Sequence, residues 1–212
     1  MQKPHLANNI PCCIVMDTSA LLDTQFDMVE LLSCLLPNSP HVVVIPEDVW
    51  IELKGVANST DGATASRAES VTKALAKYPD FRSHATQTPA RKTNAAGASS
   101  SSSSFATANA AAGSRGVAVL QKSKETFYPL KKFARNRDTK IVACAYYFTV
   151  HDSNTLGVGD TRSCPLRRFR YENAFFVTND VVQQIKASPY KIPTIDSSDL
   201  KRHWGHLGHW ES

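Results

Sequence analysis

The sequence predicts an α/β domain, a three-layer α/β/α sandwich with a central parallel sheet. Short apolar runs recur along the 212 residues, stretches with helical spacing alternate with them, and carboxylates stand just beyond two of the runs. Apolar strands alternating with helices are the pattern of a parallel sheet covered on both faces.

Residues 13–16 (CIVM) read as the first strand, and 28–36 as a helix with Val29, Leu32 and Leu36 on one face. Residues 41–45 (HVVVI) are a second strand. Pro46 then suits a first helical position, with Glu47 and Asp48 in the first turn, where the helix dipole favours them. That helix is expected to run to about Lys54 and end at Gly55, with Val49 and Leu53 facing the core. Residues 63–77 form a further helix stopped by Pro79, and 116–120 (GVAVL) a short strand. Asp138 opens a helix in which Ile141, Val142, Ala145 and Phe148 share a face. A strand at 174–178 (AFFVT), a helix at 181–187 and a last short strand at 192–195 complete the alternation.

Two stretches interrupt what otherwise reads as a single domain over 1–212. From 87 to 114 the composition collapses to Ala, Ser, Thr, Asn and Gly, too little apolar surface to offset ordering entropy, so a flexible insert is expected there. Residues 151–171, polar and glycine-containing before CPLRRFRY, read as a basic loop insert.

The whole-chain balance narrows the function classes. The 24 Lys+Arg against 19 Asp+Glu give +5, compatible with a polyanionic partner without demanding one. Five cysteines, with no C-x-x-C pair, read as reduced thiols of an intracellular protein. The N-terminus shows no signal-peptide core and no window approaches 18 apolar residues, so neither secretion nor a membrane partner is expected. PLKKFARNR and PLRRFR suit nuclear signals, although a solvated basic face is the simpler reading, leaving nuclear and cytoplasmic placement both open. No Walker, nucleophile-elbow or Rossmann glycine pattern is present. His203, His206 and His209 recur every three residues in KRHWGHLGHW, but Gly205 and Gly208 weaken a helix there, and a frayed tail is expected.

The chemistry lies in where the acids fall. Asp17 ends the first strand and Asp180 follows the 174–178 strand at FVTND. Acids beyond the carboxyl ends of parallel strands share one edge of the sheet, where open α/β sheets bind their ligands. Glu52 sits in the helix after the second strand, and Asp138 at the start of its helix, where a carboxylate can cap free amides on the same edge. Each has a plain alternative: a helix cap for the aspartates, a solvated position for Glu52, pairing with Arg135 or Arg137 for Asp138. If the four converge, repulsion decides what joins them, since two carboxylates about 4 Å apart repel by roughly 4 kcal/mol at an effective dielectric near 20. Hard oxygen ligands select Mg²⁺ or Mn²⁺, ions that hydrolyse phosphodiesters. Thr18, Ser19, Thr178 and Asn179 would then orient ligands or water.

Asp17-Thr18-Ser19 after a strand, Glu52 in IELKG, Asp138 in RDTKIVACA and VTND ending at Asp180 resemble the four acidic motifs of PIN domains. Within that superfamily KETFYPL, RNRDTKIVACAYYF and VTNDVVQQIKA followed by IPTID are most similar to the N-terminal PIN endonuclease domain of Dis-type exosome ribonucleases. The resemblance implies a 5′-nuclease-like fold and a divalent-metal-dependent endoribonuclease cutting single-stranded RNA, with Asp17, Glu52, Asp138 and Asp180 as catalytic metal ligands. RNA-decay proteins such as the exosome would be partners. Lys131, Lys132, Arg135 and Arg137 before Asp138, and Arg167, Arg168 and Arg170 before the strand ending in VTND, would hold RNA phosphates. Phe127, Tyr128 and Phe169 would stack on unpaired bases. Two departures stand out: Ser19 replaces the usual Asn of the first motif, and the third reads N-R-D rather than R-N-D. The alternative is a catalytically silent PIN module that binds RNA or docks partners.

Overall fold

The computed structural model describes residues 12–25, 27–30, 42–59, 62–78, 81, 117–121, 136–149 and 173–207. Both expected inserts, 87–114 and 151–171, lie outside the described residues, as does most of the helix expected at 28–36, of which 28–30 are helical.

Five strands form one all-parallel sheet: β1 (Cys12–Met16), β2 (Val42–Pro46), β3 (Val117–Gln121), β4 (Asn173–Val177) and β5 (Thr194–Ile195). Their spatial order is β3-β2-β1-β4-β5. Every residue of β1 and β2 is buried. Successive side chains of a strand point to opposite faces, so the sheet is covered on both, as a parallel sheet requires.

The strand order places the site. From β1 the chain winds outward through β2 to β3, then returns to the other flank of β1 to add β4 and β5. The reversal falls between β1 and β4, and a crevice opens at such a switch point beyond the strands' carboxyl ends. Met16 pairs with Val177, and the Asp17 amide donates to the Val177 carbonyl at 3.0 Å, so the ladder carries one step past both strands.

The helices are α1 (Thr18–Leu21), α2 (Glu47–Ala57), α3 (Gly62–Leu75), α4 (Arg137–Thr149), α5 (Val181–Ala187) and α6 (Ser197–Leu207), with a 3-10 turn at Ser188–Tyr190. Helix α4 packs on β1 and β4 and against α5, burying Ile141, Val142 and Ala145. Helix α2 packs on β2, β3 and α3, with Val49 and Leu53 fully buried and Trp50 edge-on to Phe81 at 5.1 Å. Among the described residues no helix is long and apolar enough to cross a membrane.

Three local expectations are corrected. Pro46 ends β2 and precedes α2 rather than entering it, because its extended ψ of 143° still belongs to the strand. Gly55 does not stop α2, which continues to Ala57. The stop comes from Asn58, whose amide donates to the Lys54 carbonyl at 2.8 Å. The C-terminal stretch is not a frayed tail up to Leu207: α6 runs through Gly205 and contains His203 and His206, while His209 lies outside the described residues. Leu200, fully buried in the core, anchors its first turn, and packing outweighs the roughly 1 kcal/mol that an interior glycine costs.

Candidate active site

Asp17 follows β1 at the switch point and is 4 % exposed. It occupies the N-cap position of α1, yet its carboxylate makes no capping bond. Instead Oδ2 accepts the Ser19 hydroxyl at 2.8 Å and the Thr178 hydroxyl at 2.7 Å. Each hydroxyl has one proton, and both are directed at the same carboxylate oxygen. Their lone pairs face the other way: Ser19 Oγ accepts the amides of Asn179 (3.0 Å) and Asp180 (3.2 Å), and Thr178 Oγ1 accepts the Asp180 amide (3.1 Å). The backbone after β4 thus orients two hydroxyls onto a carboxylate after β1. Oδ1 has no hydrogen-bond partner among the described residues.

Ser19 is the joint of this cluster. Its single oxygen donates to one strand end and accepts from the other. The departure from Asn in the first motif therefore has a structural reason: a hydroxyl can do both from one atom, while an amide divides donor and acceptor between two.

The other acids are placed differently. Asp180 is a true N-cap, its Oδ1 accepting the Val182 amide at 2.7 Å at the start of α5. Glu52, half-buried on α2, accepts the Thr18 hydroxyl on Oε2 at 2.8 Å, which ties it to the residue next to Asp17. Asp138 does not cap α4 and forms no described ion pair with Arg137, while Arg135 lies outside the described residues. Asn136 supplies the cap, its Oδ1 accepting the Thr139 amide at 2.9 Å, because it stands one position before the helix begins. The freed Asp138 carboxylate instead meets Lys186 of α5 at 2.7 Å.

Asn179 holds the scaffold together. Its amide donates to Asp23 Oδ2 at 2.8 Å, and its carbonyl oxygen accepts the Ser197 amide at 2.9 Å. The Ser197 hydroxyl also bonds Asp23, the Gln25 amide donates to Asp23 Oδ1, and Arg67 bonds the Asp23 and Leu22 carbonyls. Burial pushes the Asp23 carboxyl up, but the bonds from Ser197, Gln25 and Asn179 and the Arg67 charge outweigh it and hold the group below its ordinary value. Sequence reasoning missed Asp23, although it ends the apolar pair Leu21-Leu22 much as Asp17 ends its strand.

Of the basic residues expected to hold phosphates, Arg137 is described, exposed at the start of α4; Lys131, Lys132, Arg135, Arg167, Arg168 and Arg170 lie outside the described residues, as do Phe127, Tyr128 and Phe169. Three thiols, Cys12, Cys13 and Cys144, are buried and belong to no disulfide among the described residues. Burial pushes the Cys12 thiol up to about 12, so it stays protonated and is no nucleophile.

The donors fit a hard divalent cation in kind, being carboxylates backed by hydroxyls. None of Asp17, Glu52 and Asp180 forms an ion pair with a described residue. Among the described residues, however, no three His, Cys, Asp or Glu side chains stand close enough to hold one ion. The Thr18 hydroxyl ties Glu52 to the chain neighbour of Asp17, the Ser19 and Thr178 hydroxyls link Asp17 to the Asp180 backbone, and Asp138 pairs with Lys186.

No curated protein matches the chain. A family model described as the PIN domain matches residues 14–198, from within β1 to the first turn of α6. PIN domains are usually nucleases that depend on divalent metals. With the match covering most of the chain, reaching all five described strands and including all four acidic positions, the chain belongs to the PIN-domain family.

Proposed function

We propose that the protein is a divalent-metal-dependent endoribonuclease that hydrolyses single-stranded RNA, with Asp17, Glu52, Asp138 and Asp180 as the catalytic acids. The observation that carries the reading is Asp17 itself: a buried carboxylate at the switch point, unused as a cap, with both hydroxyl donors on Oδ2. Of the two acids that follow strands, Asp180 commits Oδ1 to a helix amide while the Asp17 carboxylate makes no capping bond. When bound, Mg²⁺ or Mn²⁺ supplies the charge that lets water attack a phosphodiester and steadies the departing oxygen. The chain's part is orientation: Ser19 and Thr178 fix the Asp17 carboxylate plane, and Thr18 holds Glu52 toward the same edge. RNA as substrate, and a setting among exosome-like RNA-decay proteins in nucleus or cytoplasm, rest on the resemblance of KETFYPL, RNRDTKIVACAYYF and VTNDVVQQIKA and on the basic residues near them.

Incubation of a circular single-stranded RNA with the protein and Mn²⁺ tests the reading. The native chain is expected to linearise the circle and Asp17→Asn to lose that activity by on the order of 10²-fold or more. No linearisation by the native chain, or equal linearisation by the variant, overturns the catalytic claim. One observation favours the silent-module reading: Asp138 is occupied by Lys186 and the acids are not gathered. That reading predicts retained RNA binding with no metal-dependent cleavage.

A further inference from the structure

Lys186 occupies the one acid that the hydroxyl cluster does not reach. Its ammonium lies 2.7 Å from Asp138 Oδ2 and joins the last turn of α5 to the first turn of α4. Lys140 of α4 stands 3.8 Å from Asp48, an acid outside the four. Among the described ion pairs, the Lys186–Asp138 pair is the one that involves any of the four acids.

We infer that Lys186 is a built-in competitor for divalent metal, its ammonium holding the place on Asp138 that an incoming cation must take. The inference rests on the metal-dependent reading above. A carboxylate oxygen serving an ammonium cannot also serve a divalent cation at full strength, since the two positive charges repel across it. Lysine suits the role because its charge rides on a flexible stem and can withdraw without moving the backbone. The pair is not locked in: the side chains are 30 % and 51 % exposed for Lys186 and Asp138. Withdrawal also has a favourable destination, because Lys186 lies in the last turn of α5, where the carbonyl end of the helix attracts positive charge. The site of this protein thus fills only above a metal concentration that Lys186 sets.

The test is calorimetric titration of the full chain with Mn²⁺ alone, comparing the native protein with Lys186→Met, Lys186→Gln and Lys186→Arg. Removing a partly exposed opposite charge from Asp138 is expected to tighten Mn²⁺ binding roughly two- to fivefold in Lys186→Met and Lys186→Gln, while Lys186→Arg stays near the native affinity. A lysine that only tied α5 to α4 would give the opposite sign, since Asp138 would lose its position and metal would bind more weakly. Unchanged or weaker binding in both neutral variants overturns the competitor role and leaves the metal-dependent reading standing. Absence of Mn²⁺ binding in the native chain and all variants overturns both.

Discussion

The site has two halves held by different means. Asp17 and the Thr178–Asp180 segment are continuations of adjacent paired strands, so the ladder that builds the sheet also fixes their spacing. Glu52 and Asp138 ride on α2 and α4 and are held by single side-chain contacts, to Thr18 and Lys186. The backbone of Asp17 cannot shift without breaking main-chain hydrogen bonds, and two hydroxyls hold its side chain. A helix-borne acid can swing by a rotamer change. On the proposed metal-dependent reading, the rigid half would define where a cation sits and the adjustable half how readily its shell is completed.

The largest effect that separates the halves is in metal affinity. Thr178→Val removes one of two donors from Asp17 Oδ2 and is expected to weaken Mn²⁺ binding and cleavage by roughly 10- to 100-fold. Thr18→Val, which frees half-buried Glu52 to find water, is expected to cost less than about tenfold. Equal losses in side-by-side titrations would erase the distinction between the halves.

A smaller effect concerns the scaffold behind the rigid half. Ser197→Ala removes a bond to Asp23 and is expected to lower unfolding stability by about 1–2 kcal/mol in denaturant melts. It should also change the acid response. The folded Asp23 carboxyl is held below its unfolded value, so its contribution is present above that value and is lost as pH falls through the folded one. Without Ser197 the two values approach each other, and the decline in stability as pH falls below the ordinary carboxylate range becomes shallower. A steeper decline in the variant would contradict the direction assigned to Asp23.

The smallest effect lies in the adjustable half and has the opposite sign. Gly55 is exposed within α2, and nothing stands within 4 Å of where a Cβ would go. Gly55→Ala is expected to add about 0.5–1 kcal/mol, read as a raised melting temperature, with the Thr18–Glu52 contact left in place. A lower melting temperature would mean that α2 needs the glycine.

Much of this architecture is legible in the sequence because it rests on local pattern. β1 and β2 are continuous apolar runs, and the spacing of Ile141, Val142 and Ala145 marks a buried helix face. Asp17 and Asp180 announce themselves by ending such runs. What local pattern does not carry is which atoms meet across the chain. The bond from Asn179 to Asp23 joins residues 156 apart, and the Lys186–Asp138 pair residues 48 apart, so Asn179 reads as a ligand-orienting residue until its partners are seen. α6 was illegible for a related reason: Gly205 argues against a helix locally, while the burial of Leu200 that secures its start depends on the finished core.

The β1–β4 pairing has a consequence for the life of the chain before it is complete. Ser19 and Thr178 are separated by 159 positions, and β1 emerges during synthesis long before its inner neighbour exists. Until Thr178 and Asn179 have been made, the Asp17 carboxylate lacks one hydroxyl donor and the amides that orient Ser19. A nascent polypeptide short of β4 therefore has no assembled acidic edge. Whatever chemistry this edge performs begins only once synthesis has passed β4.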